Sequence, residues 1–170
     1  MPSLFLPLAI LGLTLPLLAQ NGGRGGAPAP PAMTMTISGF PDGSQIPVKF
    51  SQAAPGVAVG EGNKTTDDQV HWVVWNIPAS ATGLAEGVPK GSQLADGSYQ
   101  ISATGPMYRG PGAGANGPFH HYTLELYALD TKLAVKPSSD AFETRANVIK
   151  AIQGHILAKA VYGGLFRRPQ

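Results

Sequence analysis

The clearest alternation of apolar and polar positions runs from His120 to Leu129, with the sequence HHYTLELYAL. Every second side chain falls on the same face of an extended chain: His120, Tyr122, Leu124, Leu126 and Ala128. A period of two is typical of a strand with one face toward a core. The pattern therefore predicts a β-strand in which His120 and Tyr122 share a face.

Other apolar runs predict further strands. Val70–Ile77 (VHWVVWNI) is β-branched and aromatic almost throughout, which favours a strand buried on both faces. Shorter strands are predicted at four segments: Met33–Ser38, Gln45–Phe50, Ser98–Ala103 and Val161–Phe166. The dipeptide Asp42-Gly43 after Pro41 marks a turn between the first two.

One segment near the C-terminus has helical spacing. Its apolar residues recur at three- and four-residue steps: Val148, Ile149, Ile152, Ile156 and Leu157. Thr144 is a candidate N-cap, and Asp140 with Glu143 are candidates to cap a short preceding turn. The chain is thus predicted to be mostly β with one helix.

The N-terminal residues form a separate region. Leu4–Leu18 is almost wholly apolar but shorter than the roughly 20 residues that span a bilayer, and it contains two prolines. We predict a secretory signal peptide at residues 1–20 and therefore a secreted or periplasmic protein, with an uncleaved membrane anchor as the less favoured alternative. Residues 21–32 are a Gly/Pro-rich linker, and residues 33–170 are the folded domain.

Composition excludes several classes of protein. The 170 residues carry a net charge of +2 and no cysteine, so there is no disulfide, thiolate metal site or cysteine nucleophile. The few, scattered charges argue against a nucleic-acid partner.

Two histidines are the first candidates for binding chemistry. His71 and His120 each open a predicted strand, and neighbouring strands would bring their imidazoles together beside the Gly/Pro loop at 108–118. Imidazoles that donate hydrogen bonds and gain charge near pH 6–7 suit a phosphate. A structural role for each histidine is equally open, and for His155 it is preferred. A metal site is the weaker option because no third ligand has a fixed spacing.

The loop sequence GAGANG at Gly112–Gly117 matches G-x-G-x-x-G in form. A dinucleotide site needs a helix after the loop, whereas Pro118 and a strand-like run follow here. The alternative is a loop whose N–H groups face an anion without a helix. No nucleophile with a partnered base is found in the sequence, so neither enzymatic activity nor a cofactor is expected.

Several of these motifs together resemble one family. His71–Pro78 (HWVVWNIP) resembles the H-W-x-x-x-N-I-P strand of the phosphatidylethanolamine-binding protein family, in particular its bacterial, Raf-kinase-inhibitor-like members. Tyr108–Pro111 followed by His120–Tyr122 resembles its G-P-x-P loop leading into H-R-Y, and Leu126–Asp130 resembles the strand end after it. Gly154–Ala158 resembles its C-terminal G-H-x-L-A helix.

The resemblance, which runs from about Met33 to Arg168, implies a fold and a ligand. The fold is an antiparallel β-sandwich with a small C-terminal helical element. The ligand is a phosphate or a phosphoryl headgroup such as that of a phospholipid, held without a metal. The implied binding residues are the imidazoles of His71 and His120, Pro111 as a loop wall, Tyr108 as a nearby aromatic ring and Tyr122 at the side of the pocket.

Two departures from the family pattern affect this expectation. His121 stands where the family carries an arginine, which removes a permanent cation. No Asp-Pro-Asp-type motif is found, so an internal segment that includes a central strand is predicted to be missing near Gly62/Asn63. Asp67 or Asp68 is a candidate substitute for the lost acid. The alternative function is therefore a structural or interaction protein of the same fold with a disabled ligand site.

Overall fold

The computed structural model describes residues 32–56 and 68–170. Residues 32–170 form one compact unit. The predicted signal peptide, all of the predicted linker except Ala32, and the predicted deletion point at Gly62/Asn63 lie outside the described residues. No helix in the described ranges has the length and apolar character needed to cross a bilayer.

The regular elements of the described chain are four strands, one α-helix and one 3-10 turn. The strands are β1 (Val73–Trp75), β2 (Tyr99–Ile101), β3 (His120–Leu129) and β4 (Ile156–Phe166); the helix is α1 (Ala141–Ala151), and the 3-10 turn is Val48–Phe50. β1 pairs antiparallel with β2, and β3 pairs antiparallel with β4. The prediction of a mostly β chain with one helix is confirmed, whereas the face-to-face sandwich stays a prediction.

In the β3–β4 ribbon, β3 follows the predicted alternation from Tyr122 to Glu125, whereas His120 is exposed and residues 126–129 are all half-buried. Tyr122 and Leu124 are half-buried, whereas Thr123 and Glu125 between and after them are exposed. On β4, a Cβ at Gly164 would lie 2.6 Å from Ile46, so only glycine lets the segment before the 3-10 turn pack on the strand. The N–H of Ile46 donates to the carbonyl of Leu165 at 2.7 Å and holds this segment in place.

Two apolar clusters form the core, and β3 contributes to both. One cluster joins β1, β2 and α1: Val70, Trp75, Tyr99, Ile101, Leu133, Ala141, Val148 and Ile152. The other lies against the end of β4: Phe40, Ile46, Ala113, Tyr162 and Phe166. Tyr127 and Leu129 of β3 pack on the first cluster, and Tyr122 and Leu124 pack on the second. Val70 belongs to the first cluster, so the next residue, His71, lies where the two clusters meet.

Three strand predictions are corrected by the structure. Met33–Ser38 and Gln45–Phe50 are not strands; Gln45 forms a single bridge with Leu165. Pro47 has no N–H group to donate to a neighbouring strand. Its carbonyl accepts a hydrogen bond from the N–H of Phe50, which forms the 3-10 turn. The strand expected over Val70–Ile77 shortens to β1 with half-buried valines, because β2 is its sole ladder partner among the described residues.

The helix begins and ends elsewhere than predicted. Asp140 is its N-cap, with Oδ1 accepting from the N–H groups of Phe142 (2.8 Å) and Glu143 (3.2 Å). Thr144 is a buried residue within the helix, and its hydroxyl donates to the carbonyl of Asp140. The chain turns at Gly154, with φ of 81°, and the helix inferred for Gly154–Ala158 from the resemblance is therefore wrong. Ile156 and Leu157 instead open β4.

Asn76, just after β1, fastens the segment that leads into α1. It adopts a left-handed backbone, with φ of 61°, which asparagine tolerates better than most residues. Its side-chain carbonyl accepts from the N–H of Leu133 at 2.8 Å, and its amide donates to the carbonyl of Leu133 at 2.9 Å. Trp75 adds an indole N–H bond to the carbonyl of Val135 at 3.0 Å. The end of β1 thus positions the chain before α1.

Replacing Asn76 separates the hydrogen bonds from the backbone conformation. Asn76→Gly keeps the left-handed backbone but leaves both polar groups of buried Leu133 unpaired, at about 1–3 kcal/mol for each group. Asn76→Ala adds about 1 kcal/mol for the positive φ. In urea unfolding, we expect the wild type to have the highest midpoint, Asn76→Gly a lower one and Asn76→Ala the lowest. Equal midpoints for all three would contradict this role.

Candidate functional site

His71 is fixed by the loop that follows β2. Its Nδ1 lies 2.9 Å from the carbonyl oxygen of Arg109 and 3.1 Å from that of Gly110. Because carbonyl oxygens only accept, Nδ1 must carry a proton. The N–H of Arg109 also donates to the carbonyl of His71 at 3.0 Å. Backbone and side chain together therefore bind His71 to the loop.

The other ring nitrogen of His71 stays available. Nε2 makes no hydrogen bond within the described part of the chain, and it is not among the polar atoms fully shielded from solvent. Burial lowers the pKa of His71 from its ordinary value of 6.5; the charge of Arg109 acts in the same direction, and the carbonyl hydrogen bonds oppose it. The lowered pKa makes the neutral ring, with an unprotonated Nε2, the main form at neutral pH.

Tyr122 of β3 packs against His71. The two ring centroids are 5.1 Å apart and the ring planes meet at 82°, an edge-to-face contact. The hydroxyl oxygen of Tyr122 accepts from the N–H of Gly112 at 3.3 Å. The hydroxyl proton has no acceptor among the described residues, so Tyr122 keeps one donor for a ligand.

Tyr108 has a different position and role. Its hydroxyl donates to the carbonyl of Phe50 at 3.1 Å, and its ring meets Trp72 edge to face with centroids 5.5 Å apart. Although 44% of the residue is exposed, desolvation of the phenol, helped by nearby Tyr122, raises the pKa of Tyr108 to about 12. Tyr108 thus stays protonated, with its proton committed to the backbone.

The loop around Pro111 is held by Gln52, which the sequence did not single out. The backbone N–H of Gln52 donates to the carbonyl of Pro111, and its side-chain amide donates to the carbonyl of Gly110, both at 2.8 Å. Gln52 is only 4% exposed. Its segment has no regular pattern, and a glutamine between Ser51 and Ala53 carries no signal of burial. Tertiary packing alone identifies it.

Two glycines let the loop lie directly on the segment at Phe50–Gln52. A Cβ at Gly110 would lie 2.4 Å from the carbonyl oxygen of Phe50, and one at Gly112 would lie 2.5 Å from the side-chain nitrogen of Gln52. Neither φ is positive. Gly110 is therefore required for close approach of two backbones, and Gly112 for close approach of the loop to the Gln52 side chain; neither is required for a turn.

The rest of the loop leaves backbone donors unused. Among the described residues, no hydrogen bond is donated by the N–H groups of residues 113–117. Strand β3 follows the loop directly, as expected, so no helix N-terminus lies behind it. The loop can therefore offer N–H groups to an anion but cannot form a dinucleotide site of the helix type.

His120 lies at the start of β3, opposite Phe166 of β4, and is exposed. It shares the face of Tyr122, yet no hydrogen bond or ring contact joins it to His71 in the described part of the chain. Of the predicted binding residues, the structure thus brings together His71, Tyr122 and the loop of Pro111, with Tyr108 beside them. The meeting of the two imidazoles stays a prediction.

The candidate acids and the remaining histidine lie outside this group. Asp68 is exposed, and Asp67 falls outside the described residues. His155 bonds Asp130 at 2.7 Å, beyond the far end of β3 from His120. An open depression of about 390 Å³ is lined by residues 36–41 and Tyr162, and it contains none of the predicted binding residues.

Comparison with known proteins decides the family. The family model described as phosphatidylethanolamine-binding protein matches residues 14–167. The chain belongs to the phosphatidylethanolamine-binding protein family. A solved phosphatidylethanolamine-binding protein homologue, CT736 from Chlamydia trachomatis, has a TM-score of 0.58 with 22% identity. That match covers 81% of this chain and 98% of CT736, and it supports the family's fold.

Relatives in archaea and bacteria carry the name UPF0098 protein. The protein of Methanothermobacter thermautotrophicus is 42% identical over 100 residues, which is 58% of this chain and 62% of that protein. The Pyrococcus horikoshii protein is 34% identical over 105 residues, covering 58% of this chain and 49% of the relative. The aligned part of the chain thus spans only about half to three-fifths of these relatives.

A mycobacterial relative shows a gap in this chain. The UPF0098 protein of Mycobacterium tuberculosis is 29% identical over 174 aligned positions, covering 84% of that protein and 82% of this chain, or about 139 residues. About 35 aligned positions therefore have no counterpart here. This chain is thus shorter than its relative over the aligned region, as the deletion predicted near Gly62/Asn63 requires.

The packing of the loop predicts unequal costs for two glycine substitutions. Gly110→Ala places a methyl group against the Phe50 carbonyl and is expected to lower the free energy of unfolding by ~1–3 kcal/mol, as overpacking does. Gly114→Ala is the matched control, because a Cβ there meets no atom within 4 Å. Urea unfolding of both variants measures the difference. Equal stability would show that the loop does not lie on Phe50–Gln52.

The lowered pKa of His71 predicts acid sensitivity. Because the unfolded chain binds this proton more readily, the free energy of unfolding should fall as pH drops below the unfolded pKa of about 6.5, until the folded pKa is passed. His71→Asn keeps a donor near the Nδ1 position and should lose this part of the pH dependence, whereas His121→Asn, an exposed control, should keep it. Urea titrations between pH 4 and 8 measure the slope; an unchanged slope in His71→Asn would contradict the assignment.

Proposed function

We propose that this protein binds a small phosphoryl-containing ligand, inorganic phosphate or a phospholipid headgroup, at the surface formed by His71, Tyr122 and the loop at 110–117. The observation that best supports this proposal is the fixed orientation of the His71 ring. Its Nδ1 donates to two backbone carbonyls, and its Nε2 remains in contact with solvent. The apolar N-terminal segment supports a secreted or periplasmic location as part of the same proposal.

The donors of this surface suit an anion with several oxygens. A phosphoryl group accepts hydrogen bonds and donates few, and the surface offers the hydroxyl proton of Tyr122 together with the N–H groups of residues 113–117. Nε2 of His71 joins them once it is protonated. Tyr108 and Pro111 act as walls, because their polar groups are already bonded to Phe50 and Gln52.

Ligand binding and protonation of His71 are coupled in this proposal. A neutral Nε2 presents a lone pair that repels a phosphoryl oxygen, whereas the imidazolium donates a charge-assisted hydrogen bond to it. An anion beside the ring favours the charged form, so bound ligand raises the pKa that burial lowers. Binding should therefore tighten as pH falls toward the pKa of His71.

We propose that this surface binds its ligand without catalysing a reaction. Within the described residues, no serine or threonine hydroxyl is hydrogen-bonded to a ring nitrogen of His71, and the hydroxyl of Tyr122 is bonded to Gly112. A nucleophile next to a base is the arrangement that covalent catalysis requires. We therefore propose a binding protein without enzymatic activity.

A titration followed by NMR of the histidine side chains tests the proposal. Inorganic phosphate, and then phosphoethanolamine, is added at constant ionic strength to the full chain. We expect the ring resonances of His71 and His120 to shift, the pKa of His71 to rise, and His155, bonded to Asp130, to remain unchanged. His71→Asn is expected to abolish the response at His120. Unperturbed His71 and His120 would refute this proposal and favour an interaction protein with a disabled site.

A further inference from the structure

The guanidinium of Arg168, two residues after β4, has a buried edge without partners. Its Nε and Nη2 are both shielded from solvent, and neither has a hydrogen-bond partner among the described residues. These two nitrogens form one side of the planar group and direct two nearly parallel N–H bonds. That side is the one that binds two oxygens of a phosphoryl or carboxylate group at once.

Such an edge is costly to bury unless an acceptor completes it. A charged group removed from water loses its hydration, and a hydrogen-bonded counter-charge is what compensates that loss. No carboxylate in the described part of the chain lies within salt-bridge distance of Arg168; the ion pairs found there are Lys49–Glu86, Asp130–His155 and Glu125–Lys159. No carboxylate of the described chain therefore compensates the charge of the shielded Arg168 edge.

The backbone of Arg168 is bound to the loop of the candidate site. Its N–H donates to the carbonyl of Ala113 at 3.1 Å. In the same loop, Gly110 accepts from His71 and Gly112 donates to Tyr122. Three of the four loop residues 110–113 thus contact the imidazole, the phenol and the C-terminal arginine. Phe166, the strand partner of His120, precedes Arg168 by two residues.

Arg167 provides an internal comparison. Its guanidinium lies over the ring of Phe119, with the central carbon 4.7 Å from the ring centroid, and it points a nitrogen at the carbonyl of Gly117. Arg167 is exposed. Of these two adjacent arginines, only Arg168 therefore has donor nitrogens that are both shielded from solvent and without a hydrogen-bond partner among the described residues.

We propose that Arg168 is the cation of the phosphoryl site, with Nε and Nη2 each donating to one oxygen of the ligand. The inference rests on the proposed function for the identity of the ligand. Because the donor edge is shielded, ligand access requires a local movement, and we place this movement in the loop to which the backbone of Arg168 is bonded. Residues Gly114 and Gly117 are where the loop has the least packing to break, since a Cβ at either would meet no atom within 4 Å.

Binding of inorganic phosphate to variants of the full chain tests the proposal, with sodium chloride holding the ionic strength constant. Arg168→Gln is expected to weaken phosphate binding ~10- to 100-fold, as loss of a bidentate charged hydrogen bond does. Arg168→Lys keeps the charge without the paired edge and should fall between Arg168→Gln and wild type. Arg167→Gln is the matched control and should bind within about twofold of wild type. Isothermal titration calorimetry gives the affinities, and backbone NMR spectra confirm the fold of each variant.

The Nε resonance of Arg168, followed by NMR in the same titration, separates this inference from the proposed function. A shift of Arg168 Nε together with His71 supports both. A shift of Arg168 without His71 keeps the oxyanion role of Arg168 and rejects the site at His71. Wild-type affinity in Arg168→Gln, or an Nε resonance that phosphate leaves unchanged, would overturn the role of Arg168 while leaving the proposed function intact.

Discussion

The Nδ1 proton of His71, shared between the carbonyls of Arg109 and Gly110, is the interaction on which the candidate site depends. It fixes the ring against the loop, sets its tautomer and leaves Nε2 for another partner. The burial that accompanies this arrangement lowers the pKa of His71, so without an anion to compensate for lost hydration the ring gains charge only at a pH below its ordinary pKa. Structure and protonation are therefore linked through two backbone oxygens.

The loop that carries those oxygens is held in place by the segment Phe50–Gln52. Gln52 binds the carbonyls of Gly110 and Pro111, and the absence of side chains at Gly110 and Gly112 lets the loop lie directly on Phe50–Gln52. The loop connects the two apolar clusters as well, since Ala113 belongs to one of them and His71 follows Val70 of the other. Ligand chemistry at this point is thus supported by the packing of the whole domain.

Local sequence patterns predicted the elements in which apolar residues recur at one regular spacing. The alternation over His120–Leu129 located β3 and the face that carries Tyr122, and the motif around His71 and Pro111 identified the family. These patterns gave the wrong secondary structure where contacts with residues distant in the sequence determine it. Ile156 and Leu157 have helical spacing after Val148 but lie in β4, which pairs with β3. Gln45–Phe50 has apolar residues but makes only one bridge within the described chain, to β4. The sequence does not single out Gln52, and it does not distinguish Arg168 from the other basic residues after Glu143, because burial of a polar group is a tertiary property.

The tautomer of His71 in the free protein tests the central claim most directly. Long-range ¹H–¹⁵N NMR distinguishes a protonated ring nitrogen from an unprotonated one. We expect a proton on Nδ1 and an unprotonated Nε2 at neutral pH, in a ring that gains its second proton only below its ordinary pKa of 6.5. A neutral ring protonated at Nε2 would contradict it, because Nδ1 could then not donate to the carbonyls of Arg109 and Gly110.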